Sequence, residues 1–191
     1  MTIIESIDRD VLFAINGLNA PWLDETMYLI SNKFFWIPLY FFILYRLSKL
    51  FSFKQVLLLF GTIVLGVIIS DATSFYVFKE TFLRLRPSHN REIYPNLHLY
   101  RYPDGSYYLG GMYGFVSSHA SNFTVLFVVC FNLFKNISKT VVIMMGLVLV
   151  LNCYSRIYLG VHYLTDILGG IVLGGAIAFL INIFVTNKII K

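Results

Sequence analysis

Five stretches of the chain are apolar for long enough to cross a bilayer core, which takes roughly 20 residues with latitude for tilt. They fall at about 27–45, 56–78, 118–134, 140–154 and 161–185, and the fourth is expected to continue past Arg156. Between the second and third lies a long polar segment, 80–116. Ahead of the first, the pattern changes. Ile3, Ile4, Ile7, Val11, Leu12 and Ile15 recur at helical spacing against Glu5, Asp8, Arg9 and Asp10, which marks an amphipathic helix lying in the interface. A sixth span here would bury several charges. The pattern predicts an all-α membrane protein, a bundle of about five transmembrane helices plus an N-terminal interfacial helix, forming a single transmembrane domain over 1–191.

Composition agrees. The chain is 58% hydrophobic and 13% charged, against about 25% charge in a soluble domain. The net charge of +5 does not point to nucleic acid, because the basic residues sit in short loops between apolar runs. Cys130 and Cys153 both lie inside apolar segments and read as free packing thiols. The first twenty residues are too acidic and interrupted for a signal peptide.

Charge also orients the bundle. Arg46, Lys49 and Lys54 follow the first run, Lys135 and Lys139 the third, and Lys188 and Lys191 the last, with no acid among them. These ends are expected to be cytoplasmic. The N-terminus, segment 80–116 and the turn near 156–160 then face outward, at the extracytoplasmic side of a cytoplasmic (inner) membrane. Yet the outward side carries Lys79, Arg84, Arg86, Arg91, Arg101 and Arg156. Cations that oppose the topology signal imply something anionic to hold.

Three outward segments bring polar residues to helix ends at one depth. Lys79, Arg86 and Arg156 offer fixed positive charge for a phosphoryl group whose oxygens gain charge in the transition state. Ser117 and Ser118 sit where the third helix begins, with unpaired N–H groups and the helix dipole pointing outward. His162 and Asp166 are four apart and share one helix face. A carboxylate on one ring nitrogen leaves the other free as a nucleophile. His119 is then placed as the acid for the leaving alkoxide and later the base for water. This chemistry needs no metal and no cofactor.

The ordered set resembles the type 2 phosphatidic acid phosphatase superfamily, whose motifs read K-x6-R-P, P-S-G-H and S-R-x5-H-x3-D. Lys79 to Arg86-Pro87 matches the first, and Ser155-Arg156, His162 and Asp166 match the third. The second matches at Ser117 and His119, but Val116 replaces its proline and Ser118 its glycine. The resemblance implies metal-independent hydrolysis of a phosphomonoester or diphosphate of a membrane lipid, through a phosphohistidine on His162. It implies His119 as acid, Asp166 as orienter, and Lys79, Arg86, Ser117, Ser118 and Arg156 as phosphate binders. The favoured substrates are undecaprenyl diphosphate and phosphatidylglycerophosphate. A lipid A phosphatase, a lipid phosphotransferase and a non-catalytic lipid-phosphate binder or transporter are the alternatives. The sequence leaves the oligomeric state open.

Other residues read more plainly. Gly169, Gly170, Gly174 and Gly175 have the small-xxx-small spacing of close helix packing. Asp71, within the second run, is expected to face the bundle interior and find a partner there. His89 and His98 read as solvated loop histidines, and Arg84 as facing away from Arg86 or supporting headgroups. The tyrosines at 94, 100, 102, 107, 108 and 113 read as an interfacial belt, with a lid over the headgroup entrance as the alternative.

Overall fold

Residues 2–190 are described by a computed structural model, and their regular structure is entirely helical. Lys191, counted above with the basic C-terminus, lies outside the described residues. Helix α1 (Ile3–Asn16) opens with a capping box between Thr2 and Glu5. Ile3, Ile4 and Ile7 face outward, as the amphipathic pattern predicts. The polar face departs from that pattern: Asp8 is buried at 1% exposure and Asn16 at 2%. Asn16 donates to the Tyr158 and His98 carbonyls, both at 2.7 Å, and accepts from the His98 N–H. Leu12 packs with Ile93, Ile157 and Ile167. One side of α1 is therefore fastened to the bundle.

The run at 27–45, expected as one span, is two helices. α2 (Pro21–Ser31) and α3 (Ile37–Ser48) are bent by 72° around a short 3-10 turn, Lys33–Trp36. Asn32 causes the break, since its side chain accepts from the Phe34 N–H at 2.9 Å and starts a new cap. Trp36 Nε1 and Asn152 Nδ2 both donate to the Ile30 carbonyl that the break frees.

α4 (Phe53–Phe82) is longer than predicted. Its α-helical part, Phe53–Ala72, runs into a π-helical stretch, Thr73–Lys79, and a last turn, Glu80–Phe82. α5 (Ser118–Phe134) coincides with the third predicted run. α6 (Lys139–Tyr158) continues past Arg156 as expected, and α7 (Leu164–Ile189) closes the bundle. α4, α6 and α7 are each long and apolar enough to cross a membrane, and the bent α2–α3 pair passes the same test if taken as one span. The protein is a multi-pass membrane protein. Leu57, Leu65 and Ile68 of α4, Ile143 and Leu147 of α6, and Val172 and Phe179 of α7 are exposed on its outside, as lipid-facing residues must be.

α5 is the hub, packed against α4, α6 and α7. In lipid, such packing comes from close van der Waals contact and hydrogen bonds rather than water exclusion. Two glycines make the α5–α7 contact possible. A Cβ on Gly170 would lie 2.5 Å from the Ser117 carbonyl, and one on Gly174 would lie 2.2 Å from that of Ser121. Gly175, by contrast, faces open space. Between α4 and α5, Ser70 donates to Ser121 at 2.8 Å. Asp71 does find a partner there, Asn122 at 3.3 Å, but is exposed on the outside of α4 rather than facing the interior. Cys130 and Cys153 are free and buried.

Candidate active site

Five chain segments meet at one side of the bundle: Ser31 at the end of α2, Lys79 near the end of α4, Ser117 to His119 at the start of α5, Arg156 near the end of α6, and His162 to Asp166 at the start of α7. The Ser117 N–H donates to the Asp166 carbonyl at 2.9 Å, tying the start of α5 to the start of α7.

His162 lies in the turn before α7 and is 1% exposed. Its Nδ1 is 3.2 Å from Asp166 Oδ2, which also accepts from the Tyr163 N–H at 3.1 Å. An ionised carboxylate only accepts, so Nδ1 carries the proton and Nε2 the lone pair. Burial, and then the Arg86 and Arg156 cations, holds the imidazole well below the ordinary histidine range. It is therefore neutral at physiological pH. Its Nε2 is buried and has no partner among the described residues.

The cations are held from behind. Arg86 is 8% exposed; its Nε donates to the Tyr113 carbonyl at 3.1 Å, and its Nη1 is buried without a partner. Gly110, at φ +67°, brings its backbone so close that a Cβ would lie 2.6 Å from that Nη1. Arg156 is 1% exposed and donates through Nη1 to Ser31 Oγ and, at 3.0 Å, to the Tyr108 hydroxyl, while its Nε is unpartnered. Lys79 Nζ donates to Ser118 Oγ at 2.6 Å, and that hydroxyl also meets Ser74 Oγ at 2.6 Å. Lys79 and Arg86 border a cleft of about 280 Å³, with Phe75, Met112 and Tyr113 on its apolar sides.

His119 Nε2 is 3.2 Å from the Ser31 carbonyl. A carbonyl can only accept, so this nitrogen carries a proton. Ser117 is fully buried; its hydroxyl accepts from the Ala120 N–H at 3.4 Å, and its own N–H is taken by Asp166. The structure thus makes Ser117 the cap of α5 and its tie to α7. The Ser118 and His119 N–H groups remain in the first turn with no acceptor among the described residues. Among those residues no group of three His, Cys, Asp or Glu side chains could hold a metal ion.

Three contributors were not read from the sequence. Ser31 holds both Arg156 and His119, and its only signal was the polar Ser31-Asn32-Lys33 interruption of an apolar run. Arg84, expected to face away from Arg86 or to support headgroups, donates to Asp166 Oδ1 at 2.8 Å. Asp8, expected on the polar face of an interfacial helix, accepts from Arg84 at 2.6 Å. Three of the loop tyrosines, Tyr100, Tyr102 and Tyr108, form a cluster around Tyr28. Tyr28 stacks on Tyr100 at 4.2 Å between centroids, with Tyr102 and Tyr108 edge-on to it. This cluster supports the loop that carries Tyr108 to Arg156. His98 is paired with Asp24 at 2.8 Å.

Comparison with known proteins adds to this geometry. The PAP2 superfamily pattern matches residues 55–190. A lipid A 4'-phosphatase of Porphyromonas gingivalis is 37% identical over 175 residues, 91% of this chain and 71% of that protein. Phosphatidylglycerophosphatase B of Bacillus subtilis is 30% identical over 194 residues, 95% of this chain and 84% of that protein. The crystal structure of a transmembrane PAP2-type phosphatidylglycerolphosphate phosphatase from Bacillus subtilis superimposes with a TM-score of 0.69 at 26% identity, covering all of this chain and 89% of that one.

Proposed function

This chain belongs to the PAP2 superfamily and is a phosphoric-ester hydrolase, and from that premise we propose that it removes a phosphate from a membrane lipid, without a metal, through a phosphohistidine on His162. The observation that carries the reading is the set of buried, unpartnered atoms His162 Nε2, Arg86 Nη1 and Arg156 Nε. A lone pair and two cationic donors in one desolvated site suit a phosphoryl group attacked in line.

In this mechanism Lys79, Arg86, Arg156 and the first-turn N–H groups of Ser118 and His119 hold the phosphate oxygens. His162 Nε2 attacks phosphorus, and Asp166 stabilises the cation that develops on the ring. The P–O bond to the lipid breaks, and His119, whose Nε2–H stays on the Ser31 carbonyl, gives the leaving oxygen its second proton from Nδ1. His119 then takes a proton from water as it attacks the phosphohistidine, which releases inorganic phosphate and restores both rings. Ser117 serves this site through its tie to Asp166.

A phosphomonoester of lipid A is the leading substrate, supported by the 37% identity to a lipid A 4'-phosphatase. Phosphatidylglycerophosphate is the second reading, supported by the Bacillus subtilis relative and structure. Undecaprenyl diphosphate, favoured from the sequence, draws no support from these relatives. The reading places about five spans in the cytoplasmic (inner) membrane, counting α2–α3 as one and α5, of 17 residues, as a short one. Its site faces the extracytoplasmic side, and α1 lies in the interface. Purified protein in detergent with EDTA is expected to release phosphate from at least one of lipid A, phosphatidylglycerophosphate, phosphatidic acid and undecaprenyl diphosphate. His162→Ala is expected to lower that rate by about 1,000-fold or more, as loss of a covalent nucleophile does. Equal rates from wild type and His162→Ala would sink the phosphohistidine, and the ranking of lipids names the substrate.

A further inference from the structure

Arg84 is tied more tightly than any phosphate-binding cation described above, and none of its ties leads to the phosphate cleft. Nη1 donates to Asp166 Oδ1 at 2.8 Å and to Thr165 Oγ1 at 2.6 Å, and Nη2 donates to Asp8 Oδ2 at 2.6 Å. The guanidinium lies 4.4 Å from the centre of the Tyr163 ring, and the Arg84 carbonyl accepts from the Gly114 N–H at 2.8 Å. Asp8 is fixed in turn by the Thr165 N–H at 2.9 Å and hydroxyl at 2.5 Å. The open side of Arg84 borders a separate cleft of about 470 Å³, shared with Asp8, Arg9 and Tyr163, whereas Lys79 and Arg86 line the other.

We propose that Arg84, clamped by Asp8, is a positioning residue for the Asp166–His162 pair, so that the N-terminal helix is part of the catalytic apparatus. The inference rests on His162 being the nucleophile. Asp166 gives its two oxygens to different tasks: Oδ2 orients His162, and Oδ1 belongs to Arg84. With Oδ1 free, the carboxylate could turn about its last bond and carry the imidazole with it. Charge argues the same way. Asp8 and Asp166 are 1% and 0% exposed, and one guanidinium stands between them. Burial alone would weaken the hold of Arg84 on its proton, but the two carboxylates outweigh it and hold its pKa above the ordinary value. Without Arg84, two buried carboxylates face each other, and one of them must move or take a proton. A protonated Asp166 no longer holds the His162 tautomer that leaves Nε2 bare. Asp8 supplies the second half of the clamp from a helix outside the matched residues 55–190.

The test is steady-state phosphate release by the full-length protein from a lipid that the wild type cleaves, with inorganic phosphate as competitive inhibitor. Arg84→Ala is expected to lower kcat about 100-fold, the scale of a misplaced reacting group, with KM within about threefold. Asp8→Asn, which keeps shape and removes charge, is expected to lower kcat about 10-fold. Arg84→Lys is expected to keep less than about a tenth of wild-type kcat, because one ammonium cannot span two carboxylates as a planar fork does. The double variant Arg84→Ala/Asp8→Asn should fall no more than about threefold below Arg84→Ala, as partners in one network do. Inhibition by phosphate should stay within about threefold throughout, since its ligands are untouched. The clamp is overturned if Asp8→Asn and Arg84→Lys keep wild-type kcat, if the two losses multiply, or if the loss appears in KM and phosphate inhibition instead. If Arg84→Ala does not fold, the two milder variants decide the matter. An inactive wild type would count against the hydrolase reading, whereas an active wild type beside fully active variants removes only the clamp.

Discussion

Helices α4 to α7 carry every motif residue to the site on their own ends or on the loop between them, whereas α1 to α3 carry none and still touch three residues of the site. Asp8 of α1 holds Arg84, and Ser31 at the end of α2 holds Arg156 by its hydroxyl and His119 by its carbonyl. The two regions divide the work. The bundle decides where the charged groups stand, and the N-terminal helices help to aim Arg84 and Arg156 and fix which nitrogen of His119 bears a proton. A site of this kind needs both, because a guanidinium free to rotate stabilises a transition state less than one already aimed at it.

Arg156 tests this division most directly, because it belongs to the bundle and is held from the other region. Arg156→Ala is expected to lower kcat/KM by about 100- to 1,000-fold, as loss of one preorganised donor does. Ser31→Ala removes only the N-terminal hold on the same guanidinium, and is expected to cost about 10-fold, the scale of a hydrogen bond to a charged group. Steady-state rates on one lipid would measure both. Equal losses would mean that aiming matters as much as charge; no loss in Ser31→Ala would mean that Tyr108 aims Arg156 alone. The smallest effect is expected within the bundle, at the position that departs from the family motif. Ser118→Gly frees Lys79 from the Ser118 hydroxyl and should lower KM by no more than about fivefold, the worth of one hydrogen bond. A large loss of rate instead would make that hydroxyl a working part of the site.

What could be read beforehand follows the range of the interactions that decide it. α5 was legible to its ends because Ser117 caps it locally and no proline or charged residue interrupts it. The His162–Asp166 pair was legible because four residues separate its members on one chain segment. The single span at 27–45 failed on Asn32, whose cap outweighs the apolar residues around it. Asp8, Ser31 and Arg84 were not legible, since their partners lie far away along the chain: Asp8 meets Thr165, and Ser31 meets Arg156. The amphipathic pattern of α1 gave its outward face correctly, but a pattern of one helix cannot say that an arginine waits beside Asp8. Asp71 erred the other way. Its charge suggested an inward direction, and the structure puts it on the outside of α4 with Asn122.

The contact of Gly170 and Gly174 with the Ser117 and Ser121 carbonyls sets backbone against backbone. His119 grows from one of those helices, and His162 stands just ahead of the other. The spacing of the two histidine rings is therefore built into main chain and does not depend on how side chains repack. Tyr108, Met112 and Tyr113 stand on a separate segment that reaches the site from above. Mutation can rework that rim for a new headgroup while the two histidines keep their distance, so a lineage built on this frame can change its diet without relearning its chemistry.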